Sequence, residues 1–268
     1  MLNFSANLSM LFTEYPVEQR VGAACAAGFD HVEVQFPYEL PAEHWQRRLQ
    51  EYNARMVLIN VPAGDLMQGG DGLACVPGQE SAFAEAVEQA IHYATTLGIR
   101  QVNVLAGRIP EGIRRDEACR TLAHNLRRAI PRLAAAGIDT LIEAINPIDM
   151  PRFLINRFSD MQQLLTTIGL PQLKMQFDLY HMARVGENLG ECLRHYWQQI
   201  GHIQFADTPG RGAPGTGTLP FTDLFNQISQ LPYSGYCGAE YRPGDNTSAS
   251  LGWLRLRQTT DTAISSRG

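Results

Sequence analysis

The sequence lacks the features that mark several large classes of protein. Its five cysteines stand at positions 25, 75, 119, 192 and 237 of 268, an odd number with no C-x-x-C pair. This pattern argues against a disulfide framework and a cysteine metal site, and it is typical of a reducing compartment. No apolar run approaches the roughly 18 residues that a membrane-spanning helix needs. The first residues show neither the basic start nor the apolar run of a signal peptide. We therefore expect a cytoplasmic protein without a membrane partner.

An excess of positive charge is also missing. Lysine and arginine total 22 against 27 aspartates and glutamates, which gives a net charge of −5. Such a chain has no strong basic field to hold phosphate backbones, so we expect no nucleic-acid partner. No G-x-G-x-x-G follows the first predicted strand, and neither a P-loop nor a G-x-S-x-G elbow occurs.

Short β-rich runs recur along the chain instead. They are rich in Val, Ile, Leu and Phe and are bounded by Gly, Pro or polar residues, which is typical of buried strands. The predicted strands are Asn3–Asn7, His31–Gln35, Met56–Val61, Gln101–Leu105, Thr140–Ile145, Leu173–Asp178, His202–Ala206 and Tyr236–Tyr241.

A helical pattern follows each strand. In the clearest one, apolar residues from Phe83 to Leu97 keep the 3.6-residue period and Gly98 supplies a stop. Pro131 lies inside another and predicts a kink or break there. The predicted helices are Pro16–Ala27, Pro41–Tyr52, Ser81–Leu97, Arg114–Ala136, Ser159–Ile168, Leu189–Gln199, Thr222–Gln230 and Ser248–Leu256.

Strict alternation of strand and helix predicts parallel strands joined by crossovers. Eight such units in about 250 residues are the size of a (β/α)₈ TIM barrel, of the α/β class. A doubly wound open sheet is the main competitor, and the missing glycine fingerprint argues against it. We predict one barrel domain over residues 1–258 and a flexible polar tail over residues 259–268.

Oxygen-bearing side chains close four successive strands. They are Glu143, Asp178, Gln204 and Glu240, about one βα unit apart. In such barrels the active site lies at the C-terminal ends of the strands, so these side chains should converge. Hard cations such as Mg²⁺ or Mn²⁺ prefer oxygen ligands, and the pattern favours a divalent metal site.

The alternative for each acidic residue alone is a solvated face or a salt bridge. Apolar neighbours argue against it: Glu143 lies between Ile142 and Ala144, and Asp178 follows Phe177. Burying three carboxylates without partners is very costly, and a cation would offset that cost.

Two further residues lie where they could contact a substrate. His181 stands three residues after Asp178, and Arg211 lies in a Gly/Pro-rich loop after the seventh strand. An arginine there suits a bidentate grip on a carboxylate or a hydroxy-ketone. The alternatives are a structural histidine and an exposed loop arginine.

Several motifs resemble the hydroxypyruvate isomerase family, part of the xylose-isomerase-like barrels. The matches extend from residue 2 to about 255 and comprise Phe4–Phe12, Val61–Asp65, Ile142–Asn146, Asp178–Met182, Arg211–Gly217 and Gly238–Pro243.

The resemblance implies a metal site at Glu143, Asp178, Gln204 and Glu240. It also implies that Glu143 and Glu240 exchange protons with the substrate, catalytic roles for both, and that His181 and Arg211 hold substrate oxygens.

Two positions depart from the family pattern. Arg152 stands where a glycine is expected, and Thr218 where an acidic residue is expected. An arginine near the barrel mouth could shift the preferred substrate towards a longer or more anionic one.

The function expected from this resemblance is metal-assisted isomerisation of hydroxypyruvate to tartronate semialdehyde, a step of glyoxylate metabolism. The partner is then a small 2-oxo or hydroxy acid, and a homo-oligomer is compatible with the sequence. A 2-oxo-tetronate isomerase or ketose 3-epimerase would use the same site. Two other classes of protein are alternatives. A DNA-damage endonuclease would need a His-rich multi-zinc cluster and a basic groove. A non-catalytic sugar-acid-binding scaffold would show no turnover, so removing and restoring a metal would change no reaction rate.

Overall fold

Eight parallel strands form a closed barrel in a computed structural model that describes residues 2–255. Each strand pairs with the next along the chain, and the last pairs with the first. The strands are β1 (Asn3–Asn7), β2 (His31–Val34), β3 (Arg55–Asn60), β4 (Gln101–Val104), β5 (Asp139–Glu143), β6 (Leu173–Asp178), β7 (Ile200–Phe205) and β8 (Tyr236–Ala239).

Helices cover the outside of the barrel. They are α1 (Arg20–Ala26), α2 (Ala42–Glu51), α3 (Glu80–Leu97), α4 (Arg115–Ala135), α5 (Phe158–Ile168), α6 (Leu179–Arg184), α7 (Leu189–Tyr196) and α8 (Phe221–Gln230). Short 3₁₀ turns are formed by Val17–Gln19, Pro37–Glu39, Leu66–Gln68, Trp197–Gln199 and Ser248–Arg255. The prediction of a single (β/α)₈ barrel is thus confirmed.

The packing of α3 shows why the alternation folds in this way. Its apolar stripe, which includes Phe83, Val87 and Ala90, is buried against the barrel. The helix ends at Gly98, whose φ of 71° is the left-handed conformation that glycine adopts at low cost.

Local predictions failed in three places. Ser248–Arg255 is a 3₁₀ segment rather than an α-helix, and α6 has no predicted counterpart because it begins on the side-chain cap that Asp178 provides. The predicted break at Pro131 does not occur, because α4 runs without interruption from Arg115 to Ala135, and a kink there stays a prediction. The predicted tail, residues 259–268, lies outside the described residues.

The unbroken α4 is explained by its buried face, which includes Leu122, Leu126, Ile130 and Leu133. Pro131 itself is exposed. Burial of this face outweighs the cost of a proline inside a helix, about 3 kcal/mol relative to alanine.

Replacing this proline is therefore expected to stabilise the protein. Pro131→Ala supplies the missing N–H at an exposed position, and we expect the free energy of unfolding to rise by about 1–3 kcal/mol. Urea denaturation measures the change. Pro131→Gly is the matched control, with a gain smaller by about 1 kcal/mol. A midpoint that does not move with alanine would contradict the explanation.

An aromatic cluster joins the first strand, the seventh strand and the 3₁₀ segment Ser248–Arg255. The rings of Phe4, Phe205 and Trp253 pack edge to face, with centroids 5.0–5.9 Å apart. The indole nitrogen of Trp253 donates to the hydroxyl of Tyr241 at 3.0 Å. These contacts anchor the backbone directly after Glu240.

Candidate active site

The structure places the four strand-end residues together at the C-terminal mouth of the barrel. Glu143 and Asp178 are the last residues of β5 and β6, Gln204 is the last but one of β7, and Glu240 directly follows β8. Asp178 lies opposite Gln204 in the strand register. All four side chains are buried.

Three carboxylates therefore share a water-poor space. Burial and the charges of Glu240 and Asp178 raise the pKa of Glu143 well above its ordinary value. Burial also raises the pKa of Asp178 and of Glu240, although the Arg211 guanidinium opposes both shifts. One arginine among three carboxylates leaves the site short of positive charge.

Asp178 divides its two oxygens between different tasks. Oδ1 accepts the backbone N–H groups of Tyr180 (2.7 Å) and His181 (3.3 Å) and so caps α6. Oδ2 is buried and has no hydrogen-bond partner. Such an orphaned carboxylate oxygen is unfavourable unless a cation or a donor meets it.

Glu143 is held in a similar way. Its Oε2 accepts the amides of Asn103 and Gln176, each at 3.0 Å. One atom each of Glu143, Asp178 and His181 lie within 4.8 Å of one another, a group that could hold a metal ion. Oxygen donors and an orphaned carboxylate fit a hard divalent cation.

Gln204 has a fixed amide orientation. Its Nε2 donates to Glu33 Oε1 at 2.7 Å, and its Oε1 accepts from Gln176 Nε2 at 2.6 Å. An amide oxygen keeps a second lone pair, so a ligand role remains compatible with this network.

Glu33, on β2, is a further buried carboxylate, in contact with Gln204. Burial would raise its pKa, but the nearby His202 and the hydrogen bonds of Gln204 and Asn7 lower the pKa below the ordinary value. Gly238 of β8 lies against it, because a Cβ atom at this position would lie 2.5 Å from the Glu33 oxygens. Only a glycine at position 238 leaves room for this carboxylate.

Arg211 reaches the site from the loop after β7. Its Nη2 lies 2.6 Å from Glu240 Oε2 and 4.0 Å from Asp178 Oδ2, and its guanidinium lies over the Tyr180 ring. Glu240 Oε1 accepts amide protons from Asn7 (2.9 Å) and Gln35 (2.7 Å). In this arrangement Arg211 pairs with Glu240, whereas Glu143 and Asp178 lie close to His181.

His181 lies on α6 and is almost fully buried. Its Nε2 is 3.7 Å from Asp178 Oδ2 and 3.9 Å from Glu143 Oε1, beyond hydrogen-bond distance. Its Nδ1 lies 2.7 Å from the Asn146 amide. Burial, reinforced by Arg211, lowers the pKa of His181 well below its ordinary value, so the ring is neutral.

The two departures from the family pattern lie apart from this cluster. Arg152 has a φ of 63°, the left-handed conformation that favours glycine. Its guanidinium donates to the carbonyl of Ile109 (2.6 Å) and to Asp71 (3.1 Å), which ties together the loops after β3, β4 and β5. Thr218 is exposed and bonds to the backbone of Thr208.

Sequence reasoning did not identify several polar residues of the site. They are Asn7, Glu33, Gln35, Asn103, Asn146 and Gln176. A signal existed, because most of them stand in or directly after strands, between apolar neighbours. The test that found Glu143 would have found them on the other strands.

Fold and site together define a (β/α)₈-barrel enzyme with a buried acidic site. The family model described as xylose isomerase-like TIM barrel matches residues 21–257, and the chain belongs to this family.

Similar proteins narrow the class further. The chain is 41% identical to hydroxypyruvate isomerase of Escherichia coli strain K12 over 95% of this chain and 98% of that protein. It is 40% identical to 2-oxo-tetronate isomerase of Cupriavidus necator, again over 95% and 98%. The chain is therefore an isomerase of this family, which confirms the expectation of an enzyme.

A solved structure named AP endonuclease, family 2, from Brucella melitensis superposes with a TM-score of 0.92 and 34% identity, covering 95% of this chain and 98% of that one. In the part of the chain that the structure describes, the acidic cluster contains a single histidine rather than several. No helix within residues 2–255 is long and apolar enough to cross a membrane.

Proposed function

We propose that this protein interconverts hydroxypyruvate and tartronate semialdehyde. The observation that carries the proposal is the convergence of Glu143, Asp178 and Glu240, with Arg211 and His181, in one buried space at the barrel mouth. The 41% identity to a hydroxypyruvate isomerase supports the choice of substrate.

The reaction moves one hydrogen between adjacent carbons. A carboxylate removes a proton from C3 of hydroxypyruvate, and the electron pair of that C–H bond forms a C2–C3 double bond. The π pair of the C2 carbonyl moves onto its oxygen, which gives an enediolate. A proton then adds to C2, and the hydroxyl proton passes from the C3 oxygen to the C2 oxygen. C3 becomes the aldehyde carbon, and the atoms of substrate and product balance.

Glu143 and Glu240 are the groups that would exchange these protons. In the metal-free site burial raises the pKa of both carboxyl groups, and a carboxyl group with a pKa closer to neutral can both accept and return a proton. The shared burial also excludes water that would compete for the enediol.

A divalent cation, Mg²⁺ or Mn²⁺, would be held by Glu143, Asp178, Gln204 and Glu240. When bound, it supplies Lewis-acid stabilisation of the negative charge that develops on the substrate oxygens. Arg211 donates to Glu240 Oε2, and this oxygen keeps a further lone pair that the cation could use.

Arg211 and His181 would hold the substrate. The guanidinium suits the carboxylate of a 2-oxo acid, and moving to it would free Glu240. The neutral imidazole of His181 lies close to Glu143 and Asp178 and would meet one of the two oxygens that exchange their bonding.

A second candidate is isomerisation of a 2-oxo-tetronate, one carbon longer. The 40% identity to a 2-oxo-tetronate isomerase favours it, and a 3-epimerisation of ketoses would use the same pair of carboxylates. Cytoplasmic location, a place in glyoxylate metabolism, the choice between Mg²⁺ and Mn²⁺, an oligomeric state and the absence of a nucleic-acid partner stay predictions from the sequence.

A substrate panel in deuterated water tests the proposal. Hydroxypyruvate, a 2-oxo-tetronate and ketohexoses are incubated with the Mg²⁺-loaded protein and followed by proton NMR. We expect tartronate semialdehyde with deuterium at C2, formed faster than any product of the other compounds. Faster turnover of the tetronate would favour the second candidate, and no turnover of any compound would refute both.

A further inference from the structure

The polar contacts of Asn146 have no role in the function proposed so far. This side chain is fully buried and lies three residues after Glu143, the last residue of β5. It contacts the ring of His181 on one side and the carboxylate of Asp149 on the other. Its position raises the question of which atom of the amide faces the histidine.

Three contacts decide the orientation of the amide. Oδ1 accepts the backbone N–H groups of Ile148 (3.1 Å) and Asp149 (2.9 Å), while Nδ2 lies 3.1 Å from Asp149 Oδ2. The reversed amide would set its NH₂ group against two N–H donors and its oxygen against a carboxylate. Asp149 is ionised: burial opposes this, but hydrogen bonds from Tyr180 and Asn146 lower the pKa of Asp149.

The orientation fixes where His181 carries its proton. Because the Asn146 NH₂ group points at Nδ1 at 2.7 Å, Nδ1 must accept and bears no proton. An imidazole whose Nδ1 bears no proton is neutral and carries its single proton on Nε2. The Nε2–H group faces Glu143 and Asp178 from 3.9 and 3.7 Å, a gap too long for a direct hydrogen bond.

We infer that Asn146 is a positioning residue that holds His181 as an Nε2–H donor to a substrate oxygen, and thereby keeps His181 from serving as a metal ligand. A ligating nitrogen must offer a lone pair, and Nε2 has none in this tautomer. The inference rests on the proposed function in naming a substrate oxygen as the acceptor. The tautomer itself follows from the contacts of Asn146 alone.

Exchanging the two side chains tests the inference at constant charge. In Asn146→Asp/Asp149→Asn, a carboxylate replaces the amide beside His181, and the amide now at position 149 can still donate to it. A carboxylate only accepts, so Nδ1 must now carry the proton. Asp149→Asn alone is the matched control, because Asn146 keeps both backbone N–H contacts and the tautomer should not change.

Nitrogen-15 NMR of the metal-free protein reports the tautomer of His181 directly. We expect the Nε2–H form in the wild type and the control, and the Nδ1–H form in the double variant. The double variant exposes a lone pair on Nε2. We therefore expect the ratio of its Zn²⁺ affinity to its Mg²⁺ affinity to exceed that of the wild type by at least about 10-fold, measured by titration. An Nδ1–H form in the wild type, or an unchanged tautomer in a folded double variant, would overturn the inference.

The test of the His181 tautomer and the test of the proposed function are independent, so either claim can be refuted while the other stands. The NMR measurement needs neither substrate nor turnover. If no 2-oxo acid is turned over but the tautomer switches as expected, the positioning role stands and the substrate assignment falls. If turnover is found and the tautomer does not switch, only the role of Asn146 is refuted.

Discussion

Glu143→Gln is expected to lose about 10²–10⁴-fold in turnover and to leave the fold intact. The carboxamide cannot take a proton from carbon, so the exchange step fails. Its oxygen can still accept the amides of Asn103 and Gln176, which hold the wild-type side chain at 3.0 Å. Proton NMR of hydroxypyruvate turnover measures the loss, and thermal unfolding checks the fold.

The same substitution should stabilise the protein. Burial and the neighbouring carboxylates raise the pKa of Glu143, so its charge is unfavourable in the folded state. In the metal-free protein an uncharged glutamine removes that repulsion, and we expect the Tm of the metal-free variant to be unchanged or higher, together with the lost activity. This opposite movement separates a catalytic defect from misfolding.

Controls sharpen the test of Glu143. Glu240→Gln should show a comparable loss of turnover, whereas Glu111→Gln, at an exposed position, should show none. An active Glu143→Gln/Glu240→Gln double variant would rule out the proton-exchange scheme altogether.

Asp178→Asn is expected to abolish metal-dependent turnover without loss of stability. Asparagine is as good an N-cap as aspartate, so the bonds to the N–H groups of Tyr180 and His181 persist. The negative charge on the orphaned Oδ2 position is lost. Because the site loses a charged ligand, Mn²⁺ affinity should fall by more than about 10-fold, measured by calorimetry.

Asp178→Ala is the matched comparison for the cap. It removes the ligand and the cap together, so stability should fall by about 0.5–2 kcal/mol as well. If Asp178→Asn binds Mn²⁺ as tightly as the wild type, Asp178 is not a ligand and the metal site lies elsewhere.

The alternation of strand and helix patterns in the sequence was enough to predict the (β/α)₈ barrel. Regular strand and helix patterns predicted all eight strands, because burial on both faces demands apolar runs. The failures were local: α6 begins at Asp178 only because the carboxylate caps it, and Pro131 is tolerated because α4 buries a long apolar face. Both depend on tertiary contacts that no local pattern records.

The site was predictable where residue type and strand end coincide. Glu143, Asp178, Gln204 and Glu240 stand out as oxygen donors beside apolar neighbours, and the barrel brings them together. The contact of Arg211 with Glu240 depends on a loop conformation with φ of 56° at Arg211, which the sequence does not specify. The supporting polar side chains stand mostly in or directly after the other strands, and the test that singled out Glu143 would have found them there.

The attachment points of the polar groups divide the enzyme into parts that can change independently. The acidic residues of the site lie on barrel strands or directly after them, whereas Arg152 and Arg211 lie in connecting loops. Each strand is constrained by a paired neighbour on either side, whereas loops tolerate insertion and replacement. A lineage with this architecture can alter the contacts at the barrel mouth by changing its loops, while the acidic cluster on the strands stays in place.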